Sequence, residues 1–253
     1  MTLPSLLAVF AHPDDESLSA GGVLARHAAS GARTAVVTAT WARDTRRAAE
    51  LADALRVLGA GAPRLLGYAD ARFPGSAPGA VRFCDAPLDE AVRRLVAHIR
   101  EVRPDLVVTH DAYGGLTGHP DHVHTHRVTV LAVEAAGLDQ FYPDAGPAWR
   151  PGAVCLATHP DSAARELGPL LVREGRPMFS VPDAWVTATV EAGPWLDRKI
   201  EAVFAHRAEV ARGALPGRLA ELPPEERRRL MATEWFIRHD SAATHPQQTE
   251  LTA

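Results

Sequence analysis

The sequence predicts an α/β protein in which a mostly parallel sheet is covered by helices on both faces. Three observations point to it. Short, continuous apolar runs such as LLAVFA (6–11), TAVVTAT (34–40) and DLVVTH (105–110) have the length and composition of strands buried on both sides. Segments of helical period follow such runs, and most of them end on glycine. The alternation continues along the 253 residues with no internal repeat and no interdomain linker. Repeated β-α units of this kind give a Rossmann-like three-layer αβα arrangement. One domain over 1–253 is expected, with a polar, frayed tail at about 241–253.

Each element has its own signal. The strand 6–11 leads into a helix over 16–31 closed by Gly31, where Ala20, Gly21 and Gly22 would let the helix lie close to the sheet. After the strand 34–40, the helix 43–59 places Ala48, Leu51, Leu55 and Leu58 on one face and stops at Gly59 and Gly61. RLLGY (64–68) is a third strand. Pro74, Gly75, Pro78, Gly79 and Pro87 make 71–87 a loop. The helix 88–102 carries an apolar stripe of Leu88, Val92, Leu95, Val96, Ile99 and Val102. Pro104 opens the strand 105–110, and a glycine-rich loop, 111–118, precedes a helix over 119–137. Residues 139–152 read as loop and AVCLATH (153–159) as a fifth strand. The segment 160–183, with four prolines, reads as irregular, and WVTATVE (185–191) alternates like a half-exposed strand. The stretch 194–213 has proline at its start and glycine at its end, as a helix does.

Composition narrows the function. The net charge of −4 offers no basic field for nucleic acid. No stretch is apolar for long enough to span a bilayer, and the first residues lack a basic segment and a small-residue cleavage site. A cytoplasmic protein with a small-molecule partner is expected, one that can also associate with further copies of itself. Two cysteines, Cys84 and Cys155, make no disulfide framework and read as buried small hydrophobes.

Two motifs carry chemistry. HPDDE (12–16) follows the first strand directly, and THDAYGGLTGHPDH (109–122) follows the fourth. Ligands of such sheets bind at the carboxyl ends of the strands, so the two motifs share one crevice. Charge beside a core needs compensation, and a metal ion supplies it. A hydrolytic metal site takes about three protein ligands and keeps one open position. With a helix starting near Pro13, His12 and Asp15 lie three apart and turn toward one point, leaving Asp14 to act on a water. His119, Asp121 and His122 stand in the second motif, and one histidine among them is the simplest third ligand.

AHPDDE together with GLTGHPDH resembles the PIG-L/LmbE-like family of zinc-dependent N-acetylglucosamine deacetylases, closely over about 6–130 and more loosely in LDRKIEAVFAHRAE and TEWFIRH. The resemblance implies hydrolysis of an N-acyl group, an N-acetyl group above all, on an amino sugar or its conjugate, in thiol-cofactor or antibiotic metabolism. It implies His12, Asp15 and His122 as zinc ligands and Asp14 as general base. It further implies that a protonated His119 supports the tetrahedral intermediate and that Asp121 orients His119. Zinc would polarise the amide carbonyl and acidify its water; Asp14 or His119 would protonate the departing amine. The same ligand set also suits iron(II). Members acting on mycothiol-type substrates tend to carry tyrosine just before the Gly-His of the second motif. Leu116-Thr117 stand there, which weighs against that assignment. Glu209 stands where the family pattern suggests glutamine, near Lys199 and His206.

Plainer readings compete. His12 and Asp15 alone would read as a helix cap, and Glu16 as a first-turn residue or a support for the ligands. His110 and His126 read as structural or supporting, and His124 as pointing away. His159-Pro160-Asp161 imitates the motif at another strand end without its second histidine. Arg43, Asp44, Asp70, Tyr113 and His159 stand at or just past strand ends, where they would read sugar hydroxyls. The glycine-rich loop lacks the spacing of a phosphate loop. Rival functions are an amidase for a larger acyl group, a non-haem iron(II) oxygenase using the two-histidine, one-carboxylate set, and a sugar- or nucleotide-binding module. The strand-helix alternation disfavours the oxygenase and the spare carboxylate of Asp14 disfavours the binding module.

Overall fold

The computed structural model describes residues 2–171 and 178–241. The strands β1 (Leu6–Phe10), β2 (Thr34–Thr40), β3 (Arg64–Tyr68), β4 (Leu106–His110) and β5 (Ala153–Thr158) run parallel, in the order β3-β2-β1-β4-β5. β6 (Ala188–Glu191) and β7 (Thr233–Asp240) complete the sheet, with β7 inserted antiparallel between β5 and β6. Side chains alternate along β1. Leu7 and Val9 enter a core with α3 (Leu88–Val102) and α4 (Pro120–Ala136), whereas Leu6, Ala8 and Phe10 enter a second core with α1 (Asp15–Ala29), α2 (Arg46–Leu58) and α6 (Leu196–Ala205). These are the two cores of a three-layer sandwich, as the apolar runs lead one to expect.

Four departures from the sequence reading have physical reasons. Residues 161–171 form a helix, α5 (Asp161–Leu171): Ala163, Ala164 and Leu167 share a buried face, and the helix tolerates Pro169 inside it although the amide that would bond the Arg165 carbonyl is missing. The rest of the segment expected to be irregular lies partly outside the described residues, as do 242–253 of the tail. The predicted helix 194–213 breaks at His206 (φ −78, ψ 63) into α6 and α7 (Arg207–Ala211), because the His206 ring is drawn into the interior. α8 (Leu215–Glu221), α9 (Pro224–Met231) and β7 follow, without a sequence assignment. Both cysteines are half-buried rather than buried.

The small residues of α1 let it lie close to the sheet at β7 and leave its backbone free to bind there. The helix kinks at Ala20 (φ −145, ψ 15), which frees the amides of Gly22 and Val23 to donate to Glu234 of β7 at 2.7 and 2.9 Å. Lys199 of α6 lies 2.9 Å from the same carboxylate. A methyl on Gly21 would come within 2.9 Å of Lys199 Cγ, and one on Gly22 within 3.2 Å of the Glu234 oxygens. Bare backbone is what lets this buried ion pair cap the second half of α1.

Arg100, 2% exposed, closes the other side of the sandwich. Its guanidinium donates to six carbonyls: Ala135 and Ala136 at the end of α4, then Leu138, Phe141, Tyr142 and Gly146 in the following loop. Arg100→Met keeps the apolar stem and strands those acceptors. We expect a destabilisation of about 3–5 kcal/mol, as for other broken buried polar networks. Thermal denaturation checks it, with a fall in Tm of roughly 2–4 °C for each kcal/mol lost.

Candidate metal centre

β1 has β2 on one side and β4 on the other, so the chain direction of the connections reverses between β1 and β4. Crevices at such switch points collect ligands. The residues that follow these two strands meet there. His12 leaves β1, His110 ends β4, and α4 begins at Pro120 with His119 as its N-cap. The loop between β4 and α4 can turn this sharply because Gly114, Gly115 and Gly118 all hold positive φ. The crevice opens into a cavity of about 370 Å³.

Three donor atoms converge in it. His12 Nδ1 lies 3.2 Å from Asp15 Oδ2, His122 Nε2 lies 3.3 Å from the same oxygen, and the two ring nitrogens are 3.1 Å apart. A tetrahedral zinc site with bonds of about 2.0–2.1 Å has ligand edges of roughly 3.3–3.4 Å, so this triangle fits one divalent cation. The far nitrogen of each ring has its own acceptor: Asp121 Oδ2 for His12 Nε2 at 3.1 Å, and the Gly114 carbonyl for His122 Nδ1 at 3.1 Å. Such outer partners fix the tautomer and aim the ring. Burial opposes charge on His12. Hydrogen bonds to Asp121 and Asp15, with the Asp15 and Asp70 charges, outweigh it and raise its pKa to about 10. The field at this point calls for positive charge.

The same field shapes the neighbours. Burial raises the Asp15 carboxyl, but His122, His110 and His12 hold it well below the usual range. Asp14, also buried, is pushed up to about 7 by burial against the pull of Arg47, with the Asp15 charge adding to the rise. Its backbone stands at φ 125, ψ −27, a conformation that costs a non-glycine residue about 1–3 kcal/mol. Glu16 Oε2 accepts its amide at 3.0 Å, and Arg47 donates to both Asp14 Oδ1 and the Pro13 carbonyl. Glu209 lies 3.3 Å from Arg47 and also pairs with Arg212.

Asp121 departs from its expected partner. Its carboxylate lies 3.8 Å from His119 Nδ1, too far for a hydrogen bond, and instead accepts from His12 and from the amides of Ala71 and Cys84. The amide of residue 121, not its side chain, meets His119 Nδ1, at 3.2 Å. That leaves the ring proton on Nε2. Burial first, then the charges of His12 and His122, depress the His119 pKa. His119 is therefore a neutral N–H donor rather than the expected imidazolium.

Asp70 and His159 line the cavity, as expected of them. Arg43, Asp44 and Tyr113 do not: all three are exposed and outside its lining. The turn after β2, with Trp41 at φ 76, carries Arg43 and Asp44 outward and brings in Arg47 from the first turn of α2. Arg47 was legible: with Leu51, Ala54 and Leu58 it falls on the buried stripe of an amphipathic helix, where a charge needs a reason. Lys199, which the C-terminal part of the resemblance singles out, also lines the cavity, as do Glu234 and Arg212, which carried no comparable signal. His110 is buried and stacks on His122 with ring centroids 3.9 Å apart, and His126 bonds the His110 carbonyl at 3.0 Å. His124 turns away to pack on Phe83.

The mostly parallel α/β sheet carries a histidine-aspartate cluster at its switch point, and comparison with known proteins says which family shares it. Residues 7–133 match the PIG-L family, described as GlcNAc-PI de-N-acetylase. The chain belongs to this family of deacetylases. It is 41% identical over 239 residues to the 1D-myo-inositol 2-acetamido-2-deoxy-alpha-D-glucopyranoside deacetylase of Rhodococcus jostii strain RHA1, covering 81% of each chain. The enzyme of the same name from Rhodococcus opacus strain B4 is 40% identical over 240 residues, again 81% of each. The fold is like that of the N,N'-diacetylchitobiose deacetylase from Pyrococcus horikoshii, with a TM-score of 0.63 at 17% identity over 94% of this chain and 84% of that one.

Gly114 tests how the site is held. An added methyl would meet Val123 Cγ2 at 2.9 Å and the His119 carbonyl at 3.0 Å, at φ +81. Gly114→Ala must shift the carbonyl that orients His122. We expect metal affinity to fall roughly 10–100-fold, the usual effect of losing an outer partner. Equilibrium dialysis against zinc measures it, with circular dichroism as the check on the fold.

Proposed function

We propose that this chain is a zinc-dependent N-deacetylase of amino-sugar conjugates, with an N-acetylglucosaminyl inositol as the substrate class. The observation that carries the reading is the triangle of His12 Nδ1, His122 Nε2 and Asp15 Oδ2, with edges of 3.1–3.3 Å. The substrate class is supported by the relatives at 40–41% identity, whose names specify that glycoside, and this outweighs the Leu116-Thr117 departure that weighs against a mycothiol-type substrate. The cavity beside the triangle holds further polar groups suited to a sugar, among them Asp70, Arg72 and His159. Among the described residues no helix is long and apolar enough to cross a membrane.

His12, Asp15 and His122 would hold the zinc, which supplies Lewis-acid polarisation of the amide carbonyl and a lowered pKa for water. The chain's own groups do the rest. Asp14 takes a proton from the attacking water: Arg47 engages its Oδ1, and its carboxylate faces the cavity. His119 donates its Nε2 proton as a hydrogen bond to the oxygen that gains charge in the tetrahedral state. Because His119 is a neutral donor, the proton held on Asp14 is the one delivered to the departing amine. The Asp121 amide keeps the His119 ring in that tautomer. Arg47, paired on its other side with Glu209, holds Asp14 through Oδ1.

Four results test this. The wild-type chain, loaded with zinc, releases primary amine from N-acetylglucosaminyl inositol; zinc-loaded protein that releases none would refute the reading. Asp14→Ala lowers kcat by at least roughly 10²–10⁴-fold, the usual worth of a general base, and keeps equimolar zinc. His122→Ala binds zinc substoichiometrically. A chelator abolishes turnover and added zinc restores it, followed by amine release and metal analysis on one sample.

A further inference from the structure

Asp14 stands in a backbone conformation that only its surroundings maintain, and the contacts that maintain it lead to a histidine near the other end of the chain. Glu16 is fully buried and divides its carboxylate. Oε2 accepts the Asp14 amide at 3.0 Å; Oε1 accepts the Ser17 hydroxyl at 2.5 Å and lies 2.9 Å from His206 Nε2. An ionised carboxylate only accepts, so His206 Nε2 carries the proton and donates it. His206 is also fully buried, and it is the residue at which the helix breaks between α6 and α7. The break directs the ring at Glu16 instead of along a helix face. Two donors on Oε1 fix the rotation of the carboxylate about its last bond. Oε2 is thereby aimed at the Asp14 amide, and that bond holds Asp14 at φ 125.

We infer that His206 is a positioning residue: acting through Glu16, it holds the Asp14 backbone in the left-handed conformation that presents the Asp14 carboxylate to the cavity. It does not line the cavity and touches none of the three converging donor atoms. Its effect on turnover rests on the reading of Asp14 as the base; its effect on the backbone does not.

A pair of variants with the same chemistry and different reach tests this. The amide of His206→Gln extends about as far as Nε2 of histidine and donates to Glu16, whereas that of His206→Asn falls one methylene short. His206→Asn lowers kcat roughly tenfold to a hundredfold, the effect expected when a reacting group is misplaced by about 1 Å, with KM within about twofold of the parent and equimolar zinc retained. His206→Gln recovers most of the kcat. Glu16→Gln offers one acceptor oxygen in place of two, cannot serve Asp14 and His206 together, and gives the same loss. In crystals of His206→Asn, Asp14 leaves positive φ; in crystals of His206→Gln it stays. The inference is overturned if His206→Asn keeps the parent kcat, if its loss comes with loss of zinc, if His206→Gln is no better, or if Asp14 keeps its backbone angle in His206→Asn. Were the parent chain inert toward every amide offered, the proposed function would fail while the two crystal structures still decided this inference.

Discussion

The constraint on which this structure depends is the negative field around His12. Asp15, Asp70 and Asp121 are all buried, and each lies within 3.4 Å of a nitrogen of that ring. An unanswered carboxylate in such a place costs several kcal/mol. The chain answers part of the charge with backbone amides. Asp121 takes those of Ala71 and Cys84, which also docks the loop after β3 against the site, and Asp70 takes those of Arg72 and Phe73. What remains is concentrated between His12, His122 and Asp15, where a divalent cation fits. The position of the loop, the tilt of the rings and the affinity for metal are thus aspects of one electrostatic problem.

Support for that arrangement comes from the far end of the sequence. α7 places Glu209 against Arg47, which in turn grips Asp14 and the Pro13 carbonyl. β7 places Glu234 under the kink of α1, paired with Lys199. Both are buried charged groups whose partners are equally buried, the condition under which such pairs specify an arrangement more than they stabilise it. The first motif is consequently gripped on several sides, and Asp14 can be kept in a strained backbone angle.

Much of this was legible in the sequence because the signals are local. Continuous apolar runs gave β1, β2 and β4, helical period gave α3, and the two motifs at strand ends brought His12 and Asp15 to one crevice with a histidine of the second motif, the resemblance alone singling out His122. What escaped depends on distant parts of the chain. The break at His206 has no proline or glycine to announce it; it follows from a partner, Glu16, that only the fold brings near. Asp121 was paired with His119 on the strength of a resemblance, but its carboxylate reaches His12 because the N-cap geometry gives His119 the backbone amide instead. Arg43 and Asp44 were placed at a strand end correctly, yet the turn at Trp41 carries them away from the cavity. Four prolines in 160–183 argue against a helix, yet only Pro169 falls within Asp161–Leu171.

The sequence separation of these supports bears on how the protein is made. Glu16 waits for a partner 190 residues further on, and the amides of Gly22 and Val23 for one more than 210 residues away. At about 5–20 residues per second of synthesis, the first motif leaves the ribosome well before these carboxyl-terminal partners exist. β1 to β4 can pair early, but Asp14 cannot settle until the carboxyl-terminal helices and β7 have closed over it. A nascent or truncated chain would therefore present a loose cluster of histidines and carboxylates, and full hydrolytic competence would appear only with the last strand in place.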